Sequence, residues 1–576
     1  MRSSLLAALL LGVVGSHAVR LIDFQVAQPP PLPKDAKQCT IQILERTFGF
    51  SFGMSEVVAY APPTDCGTPG SWAGISLNFT VTSNGTQFDR LALFSLDEVE
   101  IWRSSTPEPT RGDGIIWTYL KDVTRFIPLF SKPGTFVLQL DNLLEAGLDG
   151  QYATTLTATF FASSFIHPPA KKSNSIIPIS LLSNTNASLI SVPPDFSLNV
   201  TFPRNTVEAY AELFASGNGN EEFWYFNTAN QFVSQLPAGT TFGQGPFREV
   251  RLLVDGRVAG VAFPYATIFT GGIIPSAWRP ITSYGALDLP TYFLDLTPFV
   301  PILVDGQPHS LSLSVSSAED DHTINQNWFV TAAIQVVTDS SSRPTTGSIT
   351  KYDAQPFALT TTTGSAGANG DLNITVDATR SIHIESEIVS GSGKRNKVVW
   401  SQQLSYSNLQ NYLQNTTIQN VFQSTTGSVL STHNKIPAVV DKFSYPLNIN
   451  FTVLNANGTS FSAFFDHSYD RTVLPAPFIL GSTIKERQLA GGFFTIAATG
   501  NFGNGTSNNT LTYVDLAGNT YDREVNAALN NITFDHEGGS LARGTPRFPF
   551  FPKSTASISG AVRFPGLRLH GTKGEV

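Results

Sequence analysis

At 576 residues the chain is too long for one ordinary core, and a prior of about 150 residues per domain suggests roughly three or four units. Its formal net charge of -8 and isoelectric point near 5.6 exclude a basic face broad enough to draw nucleic acid and supply no polybasic membrane anchor. Only 14% of residues are charged, glycine and proline number 46 and 36, and Thr, Ser, Val and Phe are abundant, which predicts an all-β fold.

Met1 to Ala18 reads as a secretory signal peptide: Arg2, an apolar run from Leu5 to Val14, and small residues in Ser16-His17-Ala18, with cleavage expected after Ala18. That run is about half the length of a membrane span, and no later stretch is long and apolar enough, so no membrane anchor is expected. Residues 19–38 form a leader whose Pro29-Pro30-Pro31-Leu32-Pro33 is too stiff to join a central sheet. The folded part is expected to start near Cys39. Cys39 and Cys66 are the only cysteines, and in an oxidising compartment they predict one disulfide rather than a catalytic thiol or a thiolate metal site.

The first domain is expected over residues 39–165. Runs such as Ile75-Ser76-Leu77-Asn78-Phe79 and Leu156-Thr157-Ala158-Thr159-Phe160 alternate apolar and polar side chains, the pattern of half-buried strands in a β-sandwich. Leu91-Ala92-Leu93-Phe94 and Val99-Glu100-Ile101-Trp102 predict two strands joined by a four-residue hairpin connection, Ser95 to Glu98, with Asp89 and Arg90 at the first strand's start. Asp122-Val123-Thr124-Arg125-Phe126 is echoed by Asp295-Leu296-Thr297-Pro298-Phe299, and Arg90-Leu91 more loosely by Arg251-Leu252. The two offsets, 173 and 161, differ by twelve residues, which predicts tandem domains of one topology with an insertion in one of them. A break at 165–175, a second domain at 175–338, a polar linker at 339–350 and a β-rich C-terminal domain at 351–576 complete the division.

Eleven N-x-Ser/Thr sequons follow the signal peptide: Asn78, Asn84, Asn186, Asn199, Asn373, Asn415, Asn450, Asn457, Asn504, Asn508 and Asn531. Together they point to a glycosylated protein, secreted or vacuolar. No HExxH, P-loop, dinucleotide fingerprint or GxSxG elbow occurs, so neither a metal nor another cofactor is expected. The chemistry left is acidic. Asp89, Glu100, Glu108, Asp113 and Asp122 lie in the first domain; Glu208, Glu212, Glu221, Glu222 and Glu249 lie in the second. Taken alone, Asp89 reads as a strand-capping ion pair with Arg90, and Glu221-Glu222 as a solvated turn after Gly217-Asn218-Gly219-Asn220.

Four longer motifs change that weighting: EVEIWRSSTPEPT, GIIWTYLKDVTRF, EEFWYFN at Glu221–Asn227 and FTGGIIPSAWRPI at Phe269–Ile281. In this order they resemble the peptide N-glycanase A family, whose members cleave the amide between the innermost N-acetylglucosamine of an N-glycan and its asparagine. The resemblance extends distantly to a bacterial peptide N-glycanase of twin jelly-roll architecture, with a catalytic aspartate in a Trp-Asp-Arg strand. Phe88-Asp89-Arg90 matches that triplet with phenylalanine in place of tryptophan. The bacterial enzyme's glutamate followed by an aromatic matches Glu222-Phe223 or, shifted by one, Glu221; its third acid matches Glu108, at a shorter spacing.

The resemblance therefore implies two tandem jelly-roll-like sandwiches, a cleft between them, and N-glycopeptides or N-glycoproteins as substrate. Asp89 is expected to face Glu222 or Glu221 across the domain interface. Trp102, Trp117, Trp224 and Trp278 are candidates for stacking on sugar, with core packing as the equal alternative, and Trp224 and Trp278 are expected to line the cleft. Arg90 and Arg279 are candidate partners of the substrate. A glycan-binding protein without catalysis and a two-carboxylate glycoside hydrolase stay open as other functions.

Overall fold

Apolar and polar side chains alternate along the strands because successive residues of an extended chain face opposite sides of a sheet. The computed structural model describes residues 20–184, 190–367, 370–477, 480–498 and 500–542. The expected signal peptide, the sequon at Asn186 and the C-terminal tail lie outside the described residues.

Eight strands of the first domain form two facing sheets. β2 (Gln38–Phe48), β4 (Gly74–Asn84), β7 (Ile115–Asp122) and β9 (Gln151–Phe161) pair in the order 7-4-9-2; β3 (Glu56–Tyr60), β5 (Leu91–Leu96), β6 (Val99–Ser105) and β8 (Gly134–Leu140) pair in the order 3-8-5-6. The second domain repeats both orders. β10 (Ser175–Ile179), β13 (Thr206–Asn218), β16 (Tyr292–Asp295) and β18 (Asn327–Thr338) make one sheet, 16-13-18-10, to which the short β11 (Ser191–Val192) adds beside β18. The other sheet, 12-17-14-15, contains β12 (Phe196–Val200), β14 (Glu249–Val254), β15 (Arg257–Ala262) and β17 (His309–Ser316). All of these pairings are antiparallel. Two such jelly-roll-like sandwiches in tandem are the expected architecture.

The sequence echo has a physical basis. Asp122 ends β7 and its Oδ1 accepts the Thr124 N–H at 2.8 Å; Asp295 ends β16 and accepts the Thr297 N–H at the same distance. Each aspartate starts a 3-10 turn that runs into one turn of helix, Ile127–Phe130 and Val300–Leu303. Two details differ from expectation. The β5–β6 connection is a two-residue turn, Asp97 and Glu98 with φ of 48° and 69°, because a bulge at Phe94/Ser95 lets the strand continue to Leu96. The β14–β15 hairpin turns in the same way at Asp255-Gly256 after a bulge at Leu252/Leu253. Matching the two turns places Arg90 opposite Arg248, three residues before Arg251.

Folding begins earlier than Cys39. β1 (Leu21–Asp23) pairs in parallel with β7, and Phe24 bridges to Ile281. The proline run itself forms no strand, but the residues ahead of it carry N–H groups that pair: Leu21 N–H donates to the Gly114 carbonyl at 3.1 Å and Phe24 N–H to that of Pro280 at 3.0 Å. The Cys39–Cys66 disulfide is formed, with Cα atoms 5.9 Å apart. The linker is also shorter than expected, since β19 (Thr346–Ala354) starts inside it.

From β19 to β30 (Asn531–Gly538) the C-terminal region forms one sheet of twelve strands among the described residues. Its strands are long: β21 (Leu372–Val389) and β22 (Arg395–Leu413) alternate buried and accessible residues along nearly their whole length. One face packs on the second sandwich in a shared core. That face is partly polar, and its amides and phenols satisfy backbone groups of loops that would otherwise be buried without partners. Asn408 donates to the Tyr225 carbonyl at 3.1 Å, Gln410 to that of Asn227 at 2.9 Å, and the Tyr406 hydroxyl to that of Pro246 at 2.6 Å.

Candidate active site

The seam between the sandwiches is built on β6, all seven of whose residues are buried. Arg103 and Glu100 form a buried ion pair at 2.7 Å, and the same guanidinium donates to Ser216 Oγ and the Phe329 carbonyl across the seam. The loop after β15 seals the strand's edge: Ser105 N–H donates to the Ala286 carbonyl at 2.7 Å and the Trp102 indole to that of Leu287 at 3.2 Å. At one end this seam opens into a cleft of about 80 Å³, lined by Asp89, Ser105, Ser216, Asn218, Glu222 and Phe269 among others.

Equivalent loops of the two domains meet there. Asp89 lies on the short loop between β4 and β5, two residues before β5, and Glu222 on the corresponding but longer loop between β13 and β14. Both are half-buried. Arg90 is held beside Asp89 by its backbone N–H to Thr106 Oγ1 at 2.8 Å and its guanidinium to Gln87 Oε1 at 2.6 Å. Tyr152 closes this corner, its hydroxyl on the Phe88 carbonyl at 2.9 Å; burial, with Asp89 and Glu108 nearby, pushes its ionisation above the ordinary phenol range.

Glu108, on the loop between β6 and β7, is buried, and Arg279, on the corresponding loop between β15 and β16, lies 3.8 Å from its Oε2. Gly271 makes room for both acids: a Cβ built there would collide with Glu108 Oε1 and come within 3.3 Å of Asp89 Oδ1. Three carboxylates and two arginines thus converge at one end of the seam. Such a cluster can hold and move a proton at a polar bond while its cations steady developing negative charge.

Of the two adjacent glutamates, only Glu222 lines the cleft. Glu221 points the other way and is fully buried. It pairs with Arg248 at 2.5 Å and accepts hydrogen bonds from the Trp328 indole at 2.8 Å and the Asn325 backbone at 2.9 Å. Burial alone would raise its pKa, but Arg248 and these donors hold the carboxyl below the usual range. The solvated turn expected after Gly217-Asn218-Gly219-Asn220 is therefore a buried anchor.

The four tryptophans do not present faces to the cleft. Trp102 is stacked on Phe94 with ring centroids 4.4 Å apart, Trp117 stands edge-on to Tyr152, Trp224 packs on Trp328 and Tyr406, and Trp278 packs on Phe465 while donating to the Gly272 carbonyl. All are at most 3% exposed. Trp224 and Trp278 shape the cleft by fixing its loops from behind, a correction to their expected place on its wall.

One carboxylate near the cluster had no sequence signal. Asp23, at the end of β1, is buried; desolvation pushes its pKa from 3.8 up to about 7, and only the attraction of Arg279 opposes the rise. It belongs to the leader, which carries no motif, and only parallel pairing with β7 brings it in. The described sequon asparagines, by contrast, are all exposed or half-buried. Among the described residues, the one His/Cys/Asp/Glu group compact enough for a metal is Cys39, Asp65 and Cys66, whose two sulfurs are joined to each other. No helix of the described residues is long and apolar enough to cross a membrane.

Fold and cleft define an all-β protein of two like sandwiches with an acidic seam, backed by a large C-terminal sheet. The chain matches the family model "Peptide N-acetyl-beta-D-glucosaminyl asparaginase amidase A" over residues 29–355, and that of the PNGase_A C-terminal domain over residues 373–447. It belongs to this family. It is 34% identical over 370 residues to the peptide-N4-(N-acetyl-beta-glucosaminyl)asparagine amidase A of Prunus dulcis, an alignment covering 60% of this chain and 62% of that relative, so it spans less than two thirds of that relative's length. Among solved structures it is similar to recombinant peptide: N-glycanase F, with 14% identity, a TM-score of 0.34, and coverage of 53% of this chain and 96% of that one. It is also similar to PNGF-II, with 13% identity, a TM-score of 0.35, and coverage of 52% and 66% respectively.

Proposed function

We propose that this protein is a peptide N-glycanase: it hydrolyses the amide between N-acetylglucosamine and asparagine in N-glycopeptides or N-glycoproteins, releasing the glycan and leaving aspartate. The observation that carries this is the meeting of Asp89 and Glu222, from corresponding loops of two sandwiches, in one cleft of a chain that belongs to the amidase A family. Water attacks the side-chain carbonyl carbon while Asp89 takes its proton. The tetrahedral oxyanion collapses with cleavage of the C–N bond as Glu222, protonated at the start of the cycle, delivers its proton to the departing glycosylamine nitrogen; the proton on Asp89 then returns to Glu222 through solvent and resets the pair. Arg90 and the Glu108–Arg279 pair hold Asp89 and the carbonyl in register. Glu221 acts through the fold, by fixing the loop that carries Glu222.

The disulfide and the accessible sequons support passage through the secretory pathway, with a secreted or vacuolar destination. The test is mass spectrometry of an N-glycopeptide incubated with the purified protein. Conversion of the glycosylated asparagine to aspartate is expected; sugar left on the peptide would mean glycoside hydrolysis, and an intact substrate retained on the protein would mean binding alone.

A further inference from the structure

The loops that reach the cleft also reach a second, larger cavity. Its volume is about 620 Å³, and it lies between the second sandwich and the rim of the C-terminal sheet, with Phe226, Thr240 and Ile273 on one side and the turns at Asn415–Thr417 and Asn455–Gly458 on the other. None of its lining residues carries a charge. Amides, hydroxyls, glycines and aliphatic side chains in a space of this size suit a neutral, hydroxyl-rich ligand.

Backbone strain is concentrated at the same place. Among the described residues the β-branched side chains at positive φ are Ile273, at 65°, and Thr416, at 64°, and both line this cavity. Thr416 ends a run of three left-handed residues with Gln414 and Asn415. Left-handed β-branched residues are outliers that persist where surrounding structure enforces them, and they gather at ligand sites. The cavity is also continuous in chain with the cleft. Glu222 in the cleft is followed by Phe226 in the cavity, and Phe269 in the cleft by Ile273 in the cavity.

We propose that this cavity is a second carbohydrate subsite, which holds neutral outer sugars of the N-glycan whose innermost residue sits at the Asp89–Glu222 cleft. The proposal rests on the peptide N-glycanase reading for its substrate. The competing occupant is a glycan of the protein itself, because Asn415 and Asn457 are sequon asparagines among the lining residues.

Two glycopeptides decide it, one with a full neutral oligomannose glycan and one with only the two core N-acetylglucosamines. Ala238 and Ala456 are exposed on opposite rims of the cavity. Ala456→Trp, and separately Ala238→Trp, should lower kcat/KM on the long-glycan substrate about tenfold relative to the short one, mostly through KM. An equal effect on both substrates, or none, overturns the subsite. Calorimetric titration with free oligomannose separates this from the activity: binding by the parent protein that Ala456→Trp abolishes supports the subsite even if neither glycopeptide is cleaved, whereas absent binding overturns it. If Asn415→Gln with Asn457→Gln is required before oligomannose binds, the cavity belongs to the protein's own glycans and the proposal fails.

Discussion

The two sandwiches share a strand order and a pair of capped turns, yet they treat one matched arginine in opposite ways. Arg248 of the second sandwich is completely buried against Glu221. Its counterpart Arg90 stays half-buried beside Asp89 at the mouth of the cleft. The difference lies in the preceding loops. Residues 85–90 join β4 to β5 directly, whereas 219–248 double back between β13 and β14, carry Trp224 and Tyr225 into the core, and bring a carboxylate of their own to the arginine. A scaffold repeat thus preserves positions without preserving roles. A charge that the longer loop encloses becomes an anchor, and one that the shorter loop leaves at the seam stays half-buried at the mouth of the cleft.

The sharpest way to break this contrast is at the acids. Asp89→Asn keeps shape and most hydrogen bonding, and should cut kcat/KM on a glycopeptide at least about a hundredfold with the melting temperature nearly unchanged. Glu222→Gln should behave alike. Glu221→Gln should do the reverse: it strands Arg248 in a dry interior, and chemical denaturation should report a loss of about 3–5 kcal/mol. Equal stability losses at Glu221 and Glu222 would abolish the distinction between anchor and site.

Smaller changes sharpen it. Gly271→Ala pushes Glu108 out of its place against Asp89, and turnover should fall about tenfold, chiefly in kcat. His433 of the C-terminal sheet sits 2.9 Å from Asp295 and 3.5 Å from Glu208 on the second sandwich; burial opposes its charge, but these carboxylates raise its pKa from 6.5 to about 10. A raised histidine stabilises below its unfolded pKa, so thermal stability should decline as pH rises from 6.5 through about 10, and His433→Gln should flatten that slope. Asp23 gives the smallest effect. Its folded pKa of about 7 exceeds the ordinary 3.8, so the native state binds more protons in that window, stability should fall as pH climbs through it, and Asp23→Asn should remove the trend in melting temperature.

The strands, the disulfide and the tandem repeat were legible because each is local: alternation, two cysteines, and an aspartate two residues before the N–H it caps. The site was legible only in part. Asp89 and Glu222 were named through the resemblance, but Glu221 could not be told apart from Glu222, since what separates them is Arg248, 27 residues onward, and Trp328, 107 residues onward. The tryptophans misled for a similar reason. An aromatic on β6 alternates like any half-exposed residue, and only the 286–289 segment, far along the chain, closes the edge over it.

The leader has a consequence for synthesis. Phe24 rests against Arg523, with the guanidinium 4.8 Å from its ring, and Lys34 donates to the Leu541 carbonyl across a separation of 507 residues. At ribosomal rates of roughly 5–20 residues per second, about 25–100 seconds separate the emergence of these partners. Within that interval β1 gains β7 and then the loop at Ile281 as each is made, but its far side stays bare until residues 523–541 arrive. Covering the first segment is therefore a long-range step that waits for residues 523–541, and truncation near residue 520 should leave that segment exposed to proteases.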